Sequence, residues 1–152
     1  MSRKNRGRTP ISTEMLLPLP VNVARGISLE NHLALATLKA GHGNKDAVVA
    51  VMRVLYMTWF MLEKTAYEAD VQQFLDIESA LEISVEAAER DGERRLSGDI
   101  VPSIERMLLC FDQLIRKTPK YRYQEAWARM CRFADSDQLS PLPGSRMERL
   151  WQ

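Results

Sequence analysis

The side chains that most often carry chemistry are few in this chain and stand far apart. Its 152 residues hold two histidines, His32 and His42, and two cysteines, Cys110 and Cys131. Neither histidine has the neighbour that a helical metal site needs, as in H-E-x-x-H or Glu-x-x-His. The GHGN of residues 41–44 has glycines but contains no lysine and follows no strand pattern, and G-x-G-x-x-G occurs nowhere. The sequence therefore predicts no catalytic residue, no metal and no cofactor. His32 is expected at the edge of a helix and His42 in an exposed loop. The two thiols fall on what read as the fourth and fifth helices; folded back as a hairpin, these would hold them roughly 7 Å out of step along the axis at ~1.5 Å per residue. A disulfide is not expected, and both cysteines read as small core residues.

Charge is the other source of chemistry, and it is unevenly placed. The formal net charge is +1. Residues 1–25 carry +4, residues 26–92 carry −6 and residues 93–152 carry +3. Glu78, Glu82 and Glu86 recur every four residues with Glu89 close by, a spacing that stacks carboxylates on a helix. That stripe reads either as a solvated face or as an acidic strip that docks a basic partner. Further on, Arg116, Lys117, Lys120, Arg122, Arg129 and Arg132 meet only Glu125 and are interleaved with Tyr121 and Tyr123. Basic side chains bind phosphates and flat rings stack on unpaired bases, so this segment is a nucleic-acid candidate. A near-neutral total is unlike the strongly basic balance of dedicated nucleic-acid binders.

The elements that would position these groups are helices. All seven prolines lie at 10, 18, 20, 102, 119, 141 and 143, which leaves residues 21–101 free of helix breakers. Five helices follow. The first is capped at Ser28 and stopped at Gly41; the second is capped by Asn44 and runs to about Tyr67. The third opens on an Asp70–Gln73 capping box, has Phe74, Ile77, Leu81, Val85 and Ala88 inward, and ends near Gly92. The fourth starts at Pro102, with Ile104, Met107, Leu108, Phe111, Leu114 and Ile115 inward. The fifth starts at Thr118-Pro119, with Tyr123, Ala126, Trp127, Met130 and Ala134 inward. No strand pattern remains, so the expected fold is all-α, a single-domain bundle. Residues 1–25 read as a mobile basic arm and extended lead-in, 26–135 as the bundle and 136–152 as a proline-containing tail. The short Thr118-Pro119 link lacks the turn chemistry of a helix-turn-helix, so simple antiparallel packing is expected there. No apolar run is long enough for a membrane span, and no apolar stretch follows the basic amino terminus as in a signal peptide, so a cytoplasmic location is expected.

Residues 48–62 are apolar on every side of a helix, broken only by Arg53 and Thr58. Such a helix must be surrounded, either by its own bundle or by a second chain, in which case Met52, Tyr56, Trp59 and Phe60 would form a homodimer interface.

The run SLENHLALATLKAGHG followed by VMRVLYMTWFML resembles small helical proteins of proteobacterial plasmids and integrative elements, often labelled Fis-type regulators. The resemblance covers about residues 28 to 62 and implies a mobile-element accessory protein in a bacterial cytoplasm. That label also implies a C-terminal helix-turn-helix, which this chain does not display, so no DNA-contacting residue follows from it. The expected function is a non-enzymatic module that regulates or inhibits a macromolecular partner, a bacterial protein or ribonucleoprotein, for example as an inhibitor of host defence such as an anti-CRISPR. The alternative is a DNA-binding transcriptional regulator.

Overall fold

The computed structural model describes residues 12–62, 71–91 and 96–149. Among them seven helices and no strand occur: α1 (Thr13–Leu16), α2 (Val21–Lys39), α3 (Lys45–Leu62), α4 (Val71–Asp91), α5 (Val101–Lys117), α6 (Lys120–Ala134) and α7 (Arg146–Arg149). The fold is an all-α bundle organised around α3. Helices α2, α4, α5 and α6 all pack on it, and Val51, Val54, Leu55, Tyr56, Met57, Thr58 and Phe60 are buried. Tyr56 and Phe60 thus belong to the intramolecular core. Met52 and Trp59 are half-buried against it, and Trp59 meets Phe74 of α4 edge to face with ring centroids 5.5 Å apart. Tyr56 and Phe60, being buried by the chain's own helices, cannot contribute to a dimer seam, while Met52 and Trp59 keep part of their surface in solvent.

The helix termini show local chemistry acting as the sequence predicts in some places. Asn44 Oδ1 accepts the Ala47 amide at 3.0 Å and starts α3. At the end of α2, Gly41 takes a left-handed φ of 77°. That lets the His42 amide reach back to the Thr37 carbonyl at 3.1 Å and the Gly41 amide to Leu38 at 3.2 Å. Pro102 sits in the first turn of α5. Asp70, Gly92 and residues 63–67, on which other expected termini rest, lie outside the described residues.

Three expectations change. First, α2 begins at Val21, so Ser28 is inside the helix and the lead-in is shorter than 1–25; Pro20, with its φ of −51°, starts the helix, and Ala24 is already buried. Residues 1–11 lie outside the described region, but residues 12–20 are not an open arm. The Leu17 carbonyl accepts the Lys120 amide at 2.8 Å, and Lys120 Nζ lies 3.1 Å from Glu14 Oε1. A backbone donor left over at the start of α6 is therefore met by the segment after α1. Second, α6 does not fold back along α5. Thr118 is extended before Pro119, and α6 turns its Tyr123, Ala126, Met130 and Phe133 toward the core, packing on α3 and α1. Trp127 and Ala134, expected inward, are exposed. Third, the segment read as a tail separate from the 26–135 bundle packs on it, with Ser140, Leu142 and Ser145 buried.

Gly43 is required by a close approach rather than by its backbone angles. A Cβ there would overlap the side chain of Leu38, which is fully buried beneath it. Gly43→Ala is expected to lower unfolding free energy by about 1 to 3 kcal/mol, with the neighbouring exposed His42→Ala close to neutral, both read by chemical denaturation.

Candidate functional site

The acidic stripe of α4 is not one face. Residues spaced by four turn about 40° around a helix at each step, so Glu78, Glu82 and Glu86 pass from the core through the boundary to solvent. Glu78 is 1% exposed, Glu82 is half-buried, and Glu86 and Glu89 are exposed. Glu78 therefore cannot meet a partner. Its carboxyl group accepts the Tyr56 hydroxyl at 2.7 Å and the Ser140 hydroxyl at 2.5 Å, and the Ser145 hydroxyl closes on its other oxygen. Each serine also holds tail backbone: Ser140 Oγ accepts the Leu142 amide at 3.0 Å, and Ser145 Oγ accepts the Met147 amide at 3.2 Å and so caps α7. Glu148 Oε1 accepts the Leu139 and Ser140 amides at 2.7 and 3.0 Å. Burial, and then the adjacent Glu78 charge, pushes the Tyr56 phenol far above its ordinary range and keeps it a donor.

Nor do the basic residues form one surface. Arg116, Lys117, Arg122 and Arg132 are exposed, but Lys120 is engaged with Glu14 and the Arg129 guanidinium stacks 4.8 Å from the Phe60 ring centroid. On α6, Lys120 lies on roughly the opposite side of the helix from Arg122 and Arg129 at about 100° per residue. Tyr123 packs against the core, and burial raises its phenol. Tyr121 is half-buried, its hydroxyl accepting Arg122 Nε at 3.3 Å. The paired rings expected for base stacking are not jointly available.

Among the described residues no three His, Cys, Asp or Glu side chains come together as a metal site, and no helix is long and apolar enough to cross a membrane. Cys110 is half-buried on α5, where burial raises its thiol, and Cys131 is exposed on α6; both are free.

What the residues do assemble is an apolar outer surface on α2 and α5. These helices run antiparallel, held by two polar clamps: His32 Nε2 with Asp112 Oδ2 at 2.8 Å, and Lys39 Nζ donating to Glu105 Oε1 at 3.0 Å. Seven residues separate the clamps on each helix, about 10 Å of axis. Between them lies an open groove of about 310 Å³ bordered by Leu35, Ala36 and Leu109. Leu109 is 56% exposed, and on the outer side of α2 Leu29 and Leu33 are 61% and 58% exposed. Ala36 continues the α2 stripe, also exposed. Neighbouring leucines left in water at this level are costly, and such patches mark contact sites. The signal was legible in part: Leu29 and Leu33 lie on the side of α2 opposite Asn31, Leu35 and Leu38, giving a helix apolar on two faces.

The chain matches no known protein family, no curated protein and no solved structure.

Two outcomes follow from the carboxylates. Tyr56→Phe removes one charge-assisted bond to Glu78 and is expected to cost about 1.5 to 3 kcal/mol in denaturant unfolding. Burial, opposed by Arg146 and reinforced by Glu86 and Glu78, raises Glu82 above the usual carboxylate range. The folded chain then holds that proton more tightly than the unfolded chain, so the ionised form costs stability above the raised value, and the cost disappears as pH falls through it. Glu82→Gln should raise the melting temperature at pH 7 and leave it unchanged at about pH 4.

Proposed function

We propose that this protein acts by binding, as a non-enzymatic helical module that regulates or inhibits a bacterial protein or ribonucleoprotein by covering part of its surface. The observation that carries this reading is the outward leucine stripe of α2, continued by Leu109 of α5. Apolar side chains that the bundle leaves uncovered are presented on a clamped two-helix platform. Several acidic side chains are already engaged within the chain: buried Glu78 holds the tail, Asp112 and Glu105 clamp α2, and Glu14 pairs with Lys120 at the surface. The resemblance to mobile-element proteins supports a bacterial target, and interference with host defence is the role that such a module would fill.

Nucleic acid is the less favoured partner, since the basic side chains of α5 and α6 point in several directions and two of them are engaged. Leu33→Asp decides between these. It changes one exposed position, so helix content by circular dichroism should be unaltered and stability should shift by no more than about 0.5 kcal/mol. Capture of a nuclease-resistant protein partner from bacterial lysate should be lost. Retained capture by Leu33→Asp, together with its loss after Arg116→Gln, Lys117→Gln and Arg122→Gln combined, would transfer the function to the basic surface.

A further inference from the structure

The outer stripe of α2 has a register and a charge pattern of its own. Asn22, Gly26, Leu29, Leu33, Ala36 and Ala40 recur at alternating intervals of four and three residues, and every one is exposed. That is the spacing of a two-helix seam, with Gly26, Leu33 and Ala40 in one set of layers and Asn22, Leu29 and Ala36 in the other. Gly26 has no atom within 4 Å of where its Cβ would stand, so a second helix can approach closely there. The seam is flanked by Arg25 on the α5 side and Glu30 on the α3 side, both exposed. Among the described residues neither forms an ion pair.

We infer that the occupant of this seam is α2 of a second copy of the chain, running parallel to the first. In a parallel pair, residues five apart face one another across the seam, which sets Arg25 of each copy against Glu30 of the other, two attractive contacts related by the two-fold axis. Reversing one helix sets Glu30 against Glu30 and Arg25 against Lys39, and both contacts repel. The charges therefore select both the occupant and its direction. The seam spans about 27 Å at 1.5 Å per residue, and one helix pair with flanking contacts buries less than the ~1,200 Å² of a standard interface. An interface of that size belongs to the weak, transient class, and concentration governs it. This inference rests on the outer face of α2 being a docking face, for which a second copy and another protein partner compete.

Sedimentation of the full chain up to about 200 µM should show reversible dimerisation, abolished by Leu33→Asp. Arg25→Glu alone and Glu30→Arg alone should each weaken self-association roughly tenfold, whereas the double charge swap, or an equimolar mixture of the two single variants, should restore it. A chain that stays monomeric throughout overturns the proposal. So does an Arg25→Glu variant that associates more tightly, because that result places the copies antiparallel. If the chain is monomeric but Leu33→Asp still ends partner capture, the second copy is excluded while the binding function stands. If it dimerises as described but capture ignores Leu33, the dimer stands and the docking role of this face toward other proteins fails.

Discussion

A helix with apolar side chains on all sides cannot exist in water alone, and α3 imposes that condition on everything else in the fold. Between Val48 and Leu62 only Arg53 and Thr58 are polar, so α3 needs cover in every direction. Thr58 meets the condition by donating to the Val54 carbonyl at 2.7 Å within its own helix. The four helices around it each contribute one face: Leu35 and Leu38 from α2, Phe74, Ile77 and Leu81 from α4, Ile104, Leu108, Phe111 and Ile115 from α5, and Ala126 from α6. Among the outer helices α2 and α5 also pack closely on each other, whereas α4 touches α5 only lightly. The need to cover α3 explains why α6 leaves α5 at Pro119: Phe133 and Tyr56 meet at 5.3 Å edge to face, and that cover is unavailable to a helix folded back on α5.

Covering α3 also brings a phenol inward. Tyr56 faces α4, and a phenol buried there needs an acceptor; Glu78 supplies it, one turn after Phe74 and one before Leu81. A buried carboxyl with a single donor would remain under-satisfied, and the tail brings further hydroxyls to it. Ser140 and Ser145 provide them, and Gly144, with a φ of 78°, makes the turn between Leu142 and α7. The tail is thus ordered by a polar requirement created in the core. Little of its own sequence demands order, with two prolines and one buried apolar residue, Leu142.

This dependence marks the boundary of what one sequence reveals. Helix existence was readable from proline placement and apolar spacing, and the caps at Asn44, Gly41 and Pro102 from side-chain chemistry acting over one turn. The inner residues of α5 were readable too, because a single clean stripe has one orientation. Glu78 was misread because four-residue spacing suggests a common face, whereas the 40° drift per step carries the first member of the series into the core. Its position among Phe74, Ile77, Leu81 and Val85 was the available clue. The start of α2 was missed because Ser28 is a good cap wherever a helix begins there, and nothing local states that the helix is already under way at Val21. The partners of Glu14, Glu105 and Asp112 lie between 66 and 106 residues away in the chain, beyond the reach of local pattern.

The same clamps decide which side of α2 remains outside. With His32 and Lys39 held by α5, the helix cannot roll to bury Leu29 and Leu33 without giving up two polar contacts and withdrawing Leu35 and Leu38 from the core. Burying two leucines would recover roughly 3 to 6 kcal/mol at most, against the loss of two others already buried, the His32–Asp112 hydrogen bond and the Lys39–Glu105 ion pair, each worth about 1 kcal/mol. The exchange has no net gain, so the outward stripe is stable without being covered. A surface fixed in that way loses little further side-chain or backbone freedom on contact, and a small apolar area on a rigid helix can then bind where the same leucines on a mobile segment could not.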